Sequence, residues 1–190
     1  MKNESYSQLG QDVFVENILK HKKNGIFLDI GGGEPIKINN TYLLEKHYNW
    51  SGISIDINSE YKIQWDVSDR NPLGFVVHDA LTLDYDKIIS SLLLTNKTDR
   101  IDYLSIDMEP PEVTLEVLLK FPIETCRFSV ITFEHDLYRN NLHILNQSRE
   151  LFKKNNYKLV VSNINNQEDW WIDSSYDFEW GPVVMRDYKL

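Results

Sequence analysis

The sequence is poor in cysteine. Cys126 stands alone among 190 residues, so it cannot make an internal bridge, and a disulfide-built secreted scaffold is excluded. A reducing, cytoplasmic setting is the expectation. Long apolar runs are also missing. None approaches the roughly 18 residues of a membrane span, and the opening MKNESYSQLGQDVF has no apolar signal core. Membrane insertion is therefore not expected. Basic charge is scarce: 20 Lys and Arg face 29 Asp and Glu, for a net charge of -9. Such a balance repels nucleic acid by default, so no nucleic-acid partner is expected. Lys20-His21-Lys22-Lys23 reads as the solvated end of a helix. Gly and Pro are few and scattered, so no linker divides the chain. The expectation is one domain over 1–190, with 1–24 as a helical segment covering the pocket. The short length leaves little room for a separate acceptor domain. That points to a piece of a larger protein, or to a partner such as a glycosyltransferase.

What is present alternates. Short apolar runs at 25–30, 51–56, 74–78, 101–107, 127–133 and 157–162 read as strands. Helical stretches fall at 7–20, 40–47, 85–94, 111–120 and 142–154, and a less clear one before Pro72. Ser7 is the expected cap of the first helix, Asn40 or Thr41 that of the second. Trp170, Trp171, Ile172 and Pro182-Val-Val-Met185 predict one or two closing strands. Strands alternating with helices predict a mostly parallel sheet covered on both faces. Five strands end in Asp29, Asp56, His78, Asp107 and Glu134. Ligands of open parallel sheets bind beyond those strand ends.

Gly31, Gly32 and Gly33 follow the first strand, where glycine lets a ligand approach the backbone. Asp56 closes the next strand and suits both hydroxyls of a ribose. A dinucleotide fingerprint would need glycine where Ile36 stands. Glu34 also opposes a pyrophosphate. A nucleoside without phosphates fits better, and S-adenosylmethionine is one. Asp79 and Ala80 follow the third strand, where Asp79 suits an adenine amino group.

These pieces, in their order, resemble the FkbM-type S-adenosylmethionine-dependent methyltransferases. The resemblance rests on Ser7-Gln-Leu-Gly-Gln-Asp12, Phe27-Leu-Asp-Ile-Gly-Gly-Gly33, Asn40-Thr-Tyr-Leu-Leu-Glu45 and Trp50-Ser-Gly-Ile-Ser-Ile-Asp56. It continues in Asp102-Tyr-Leu-Ser-Ile-Asp-Met-Glu109, Glu112, Thr132-Phe-Glu-His135 and Glu168-Asp-Trp-Trp171. It implies a Rossmann-like class I methyltransferase fold, an α/β sheet of seven strands with one antiparallel C-terminal strand. It implies O-methylation of a sugar or glycan hydroxyl, with a deoxysugar such as rhamnose as one acceptor. The expected cofactor set is Gln11, Asp29, Gly31, Gly32, Gly33, Asn40, Thr41, Asp56, Ile57, Asp79, Ala80 and Asp107. Pro110 replaces the glycine the family carries in that turn.

Methyl transfer to a hydroxyl needs positioning and removal of a proton. Asp107, Glu109 and His135 are the expected catalytic residues, with a base among them. A second arrangement has Asp107, Glu134 and His135 holding Mn or Mg as a Lewis acid. Trp170, Trp171 and Trp180 are candidates for an acceptor groove, but Trp170 and Trp171 point oppositely if they lie in a strand, so at least one of them is expected in the core. A nicotinamide-dependent oxidoreductase and a non-catalytic binding module on the same fold are the alternatives.

Overall fold

The computed structural model describes residues 4–175. The strands are β1 (Ile26–Ile30), β2 (Ser51–Asp56), β3 (Phe75–Val77), β4 (Arg100–Ile106), β5 (Arg127–Glu134), β6 (Tyr157–Ile164) and β7 (Glu168–Asp173). The helices are α1 (Gln11–Ile18), α2 (Tyr42–Tyr48), α3 (Ser59–Val67), α4 (Tyr85–Asn96), α5 (Pro111–Lys120) and α6 (Leu142–Lys154). The seven strands form one sheet in the order β3-β2-β1-β4-β5-β7-β6. Strands β1 to β5 pair in parallel, and β7 runs antiparallel to both its neighbours. The expected α/β class and the single antiparallel strand are both present. The expected Pro182–Met185 strand and Trp180 lie outside the described residues.

The central strands are apolar on both sides because both sheet faces are covered. Ile26, Leu28 and Ile30 point into one core with residues of α4, α5 and α6. Phe27 points into the other with Phe14, Val15 and Ile18 of α1. Trp170 and Trp171 alternate across β7, and each fills one of these cores at 0% exposure. Neither lines an acceptor groove, which corrects that expectation.

Two helix starts also differ from expectation. The first helix begins at Gln11, behind Gly10 in a left-handed turn. Ser7 is not at the cap position, although its Oγ accepts the Asp12 N–H at 3.3 Å; Ser5 Oγ, Ser7 Oγ and the Tyr6 N–H all donate to the Asp12 carboxylate. Asn39 holds the start of α2, accepting the N–H groups of Thr41 and Tyr42 on Oδ1 at 3.0 and 2.8 Å. Lys20 and His21 belong to a left-handed turn after α1, and Lys22 pairs with Asp102 at 2.7 Å.

Candidate functional site

A cleft of about 780 Å³ opens at the C-terminal edge of the parallel strands. That is within the size range of small-molecule sites. The glycine turn forms its floor. Gly31 and Gly32 donate their N–H groups to the Ile55 carbonyl at 2.8 and 3.1 Å, which ties the turn to β2. Gly31 has φ +87°, and a Cβ there would lie 1.7 Å from the Asp107 carbonyl oxygen. Only glycine allows the turn and the end of β4 to lie so close. Gly33 also has positive φ but faces open space.

Asp56 ends β2 inside the cleft. Its carboxylate accepts the Gly33 N–H at 3.1 Å on one oxygen and the Asn58 N–H at 2.8 Å on the other. Each oxygen keeps a lone pair for a further donor. Ile57, 70% exposed, follows it on the cleft wall. Asp79, Ala80 and Leu81 form the wall beyond β3, with Asp79 Oδ1 accepting the Leu81 N–H at 2.9 Å. This group brings together an acidic hydroxyl acceptor and apolar side chains for a flat ring.

Of the expected cofactor residues, Gln11, Asp29, Gly32, Asn40 and Thr41 are not on the cleft wall. Asp29 is buried beneath the turn, bonded to Ser54 Oγ at 3.0 Å, and burial pushes its pKa up to about 6. Gly32 sits over it, where a Cβ would meet Ser54. Gln11 donates to Glu168 Oε1 at 2.5 Å inside the protein. Asn40 donates to Ser105 Oγ at 3.0 Å and also reaches the Asp107 carboxyl. Thr41 is buried between Asn39 and Arg70.

At the other end of the cleft, Asp107 and Glu134 lie side by side beyond β4 and β5. Burial, the charge of Asp107 and a shared hydrogen bond push Glu134 up to about 11. Asp107 is raised too, chiefly by burial. The pair therefore holds a proton at neutral pH. Glu109 sits at the rim, bound by Arg139 through two bonds of 2.6 and 2.8 Å. His135 does not join them. Its ring is fully buried away from the cleft, with Nδ1 accepting the Leu137 N–H at 3.3 Å and Nε2 3.7 Å from Asp169. As neighbours in an extended chain, residues 134 and 135 point to opposite sides. That corrects His135 as base and as metal ligand. Among the described residues, no three His, Cys, Asp or Glu side chains converge as a metal centre.

Lys37, Asn58, Tyr61, Val113, Tyr138 and Gln167 also line the cleft and were not expected. Tyr61 lies in the stretch whose helix was least clear, and Gln167 arrives through the β6–β7 turn, a contact with no local signal. Among the described residues of the N-terminal segment, Gln8 is the one on the wall.

The buried carboxyls predict how stability depends on pH. Burial raises Asp29 to about 6 and Glu168 to about 8. Both hold protons in the fold where the unfolded chain would have lost them, so stability falls as pH rises from about 5 to 8. Asp169 and Asp173 act oppositely. Burial alone would raise them, but Arg149 and Arg127 outweigh it and hold them low. Their contribution is lost as pH falls below about 4, through the folded-state values. Melting in ligand-free buffer should show a Tm roughly 5 °C higher at pH 5.5 than at pH 8. A Tm that is flat or rises over that interval would contradict these burial shifts.

No family model matches the chain, and no curated protein does. Solved structures do. A putative rRNA methylase from Clostridium thermocellum superposes with TM-score 0.60 at 14% identity, over 94% of this chain and 100% of that one. A match over that length decides the fold. The fold is that of the class I methyltransferases. The Methanococcus jannaschii fibrillarin pre-rRNA processing protein gives 0.57 at 12% identity, over 91% and 77%. The human methyltransferase 10 domain containing protein gives 0.53 at 12%, over 90% and 83%. These likenesses show the fold, and nothing in them points to the FkbM family in particular.

They also overturn the expected partners. Two of these proteins are named for ribosomal RNA and carry this fold over most of the chain. A net charge of -9 is an average over the whole chain; it does not describe one groove, so it is no ground for excluding nucleic acid. The sugar or glycan acceptor and the glycosyltransferase partner have no counterpart among them. No described helix is long and apolar enough to cross a membrane.

Proposed function

We propose that this chain is a single methyltransferase domain that uses S-adenosylmethionine and methylates an acceptor hydroxyl. The observation that carries the reading is Asp56. Its two oxygens are fixed by backbone N–H groups beside the glycine turn, and exposed Ile57 stands next to it. A ribose diol and a flat base fit that pairing, and Asp79 lies on the adjoining wall. Gly31 and Gly33 keep that part of the floor free of side chains. Glu34, and Ile36 where a dinucleotide fingerprint needs glycine, favour this ligand over a dinucleotide.

When bound, the cofactor supplies an electrophilic methyl group on a sulfonium. The chain must then hold the acceptor oxygen in line and take its proton. Asp107 is the proposed base, since it faces the cleft and Glu134 is the proton-bearing partner beside it. Glu109, paired with Arg139, shapes the rim.

Calorimetric titration with S-adenosylhomocysteine tests the reading. Asp56→Ala should weaken binding roughly 10- to 100-fold, the loss of charge-assisted hydrogen bonds. Equal affinity in the variant, or binding of NADH in place of the nucleoside, would refute it. Methyl transfer to hydroxyl compounds and to short RNA would then separate an enzyme from a binding module.

A further inference from the structure

We infer that Ile38 is a ligand contact, held at the mouth of the cleft in a strained backbone conformation so that its side chain packs on the nucleoside bound at Asp56. This contact rests on the methyltransferase reading and adds to it a specificity-determining residue. Ile38 has φ +50°. Among the described residues, the other non-glycine positions with positive φ hold Asn, Asp, Lys or His, and Ile38 is the one β-branched exception. A branched side chain there is a true outlier. Strain of this kind persists only where neighbouring bonds enforce it, and it gathers at ligand clamps.

The enforcing bonds stand on both sides of Ile38. Arg70 Nη1 donates to the Pro35 carbonyl at 2.9 Å and to Asn39 Oδ1 at 2.9 Å. The Asn39 N–H donates to the Tyr6 carbonyl at 3.0 Å. Asn39 Nδ2 donates back to the Gly32 and Glu34 carbonyls at 2.9 and 2.8 Å. The chain therefore leaves the glycine turn at Glu34 and is tied to it again at Asn39. Residues 35–38 form an arch beside Gly33, whose N–H is bonded to Asp56.

The arch carries an apolar side chain out to water. Ile38 lines the cleft and is 69% exposed. A single exposed isoleucine is ordinary; one kept in place at a conformational cost is not. Tyr61 lines the cleft from α3, one helical turn ahead of Trp65, whose Nε1 donates to the Gly33 carbonyl. Ile38 and Tyr61 thus flank the turn that presents Asp56. A nucleoside on Asp56 offers Ile38 apolar carbon surface, and packing takes both surfaces out of water. The same cover keeps water from the Asp56 hydrogen bonds, which are stronger in a drier setting.

Ile38→Asn separates strain from contact. Asn adopts positive φ readily and is polar. Without ligand this variant should melt about 3 °C above wild type. Calorimetry should show its affinity for S-adenosylhomocysteine lowered about 10- to 100-fold, the loss of one packed isoleucine. Ile38→Val, which keeps the branch and most of the apolar surface, should bring affinity back to within about fourfold of wild type. In methyl NMR, the Ile38 signal, assigned by its loss in Ile38→Val, should move when S-adenosylhomocysteine is added. Unchanged affinity in Ile38→Asn would overturn the inference. So would an unmoved Ile38 signal in protein saturated with S-adenosylhomocysteine. If Asp56→Ala weakens binding and Ile38→Asn does not, the contact alone is lost and the methyltransferase reading stands. If wild type does not bind S-adenosylhomocysteine, that reading has failed and the contact falls with it.

Discussion

Gly31→Ala should abolish S-adenosylhomocysteine binding and cost several kcal/mol of stability. The φ of +87° alone costs a non-glycine residue about 1–2 kcal/mol. The larger effect is overlap. A Cβ would lie 1.7 Å from the Asp107 carbonyl oxygen and 2.7 Å from its carbon. Both atoms are backbone, and the Asp107 N–H is bonded to the Ile30 carbonyl at 2.9 Å, so β1 and β4 hold them. Relief requires the turn or the end of β4 to move. Moving the turn takes the Gly33 N–H from Asp56; moving the strand takes Asp107 from the cleft. Gly33→Ala is the matched control. It has φ +55° but its Cβ would meet nothing nearer than 3.9 Å. It should cost only about 1–2 kcal/mol and keep most binding. Urea unfolding and calorimetry on both variants decide the matter. Indistinguishable behaviour would mean that backbone conformation, and not the approach of β4, is what the site needs.

The same turn shows what was legible in the sequence. Gly31 to Gly33 after an apolar run, and an acid at the end of the next, are local patterns. They located the cleft because parallel strands deliver their C-terminal ends to one edge. The central strands themselves were equally legible, since doubly buried strands read as continuous apolar runs. Phase at a strand end was not. Nothing in Phe133-Glu-His-Asp136 says which acid or imidazole faces inward until β7 is paired beside β5, and that pairing joins residues more than 30 apart. The tryptophans misled for a related reason. A strand inserted between β5 and β6 has two covered faces, so both Trp170 and Trp171 are core. Asn39, one residue before the expected cap, took the capping role because a buried guanidinium orients its amide.

That guanidinium is the second large expected effect. Arg70→Met should lower stability by about 3–5 kcal/mol, the range for breaking a buried ion pair by removing one partner. Arg70 is 3% exposed. Its Nε donates to Glu45 at 2.8 Å, Nη1 to the Pro35 carbonyl and Asn39 Oδ1 at 2.9 Å each, and Nη2 to Thr41 Oγ1 at 3.0 Å. The guanidinium also stacks 4.0 Å from the Trp65 ring. Removing it takes a donor from four acceptors, one of them charged, although Asn39 Oδ1 keeps the Thr41 and Tyr42 N–H groups. The consequence reaches the cleft through two partners. Asn39 Nδ2 donates to the Gly32 and Glu34 carbonyls, and Trp65 Nε1 to the Gly33 carbonyl. Loosening both frees the glycine turn from behind, so nucleoside affinity should fall as well, although Arg70 is not on the cleft wall. Arg70→Lys should not rescue, because an ammonium cannot reproduce the planar fork or its stacking. A Tm drop of roughly 10 °C for Met, with Lys nearer to Met than to wild type, is the expected pattern. If Lys matches wild type, a point charge would suffice to hold the loop. If Met melts like wild type, the loop that carries the site is held by Asn39 and Trp65 alone.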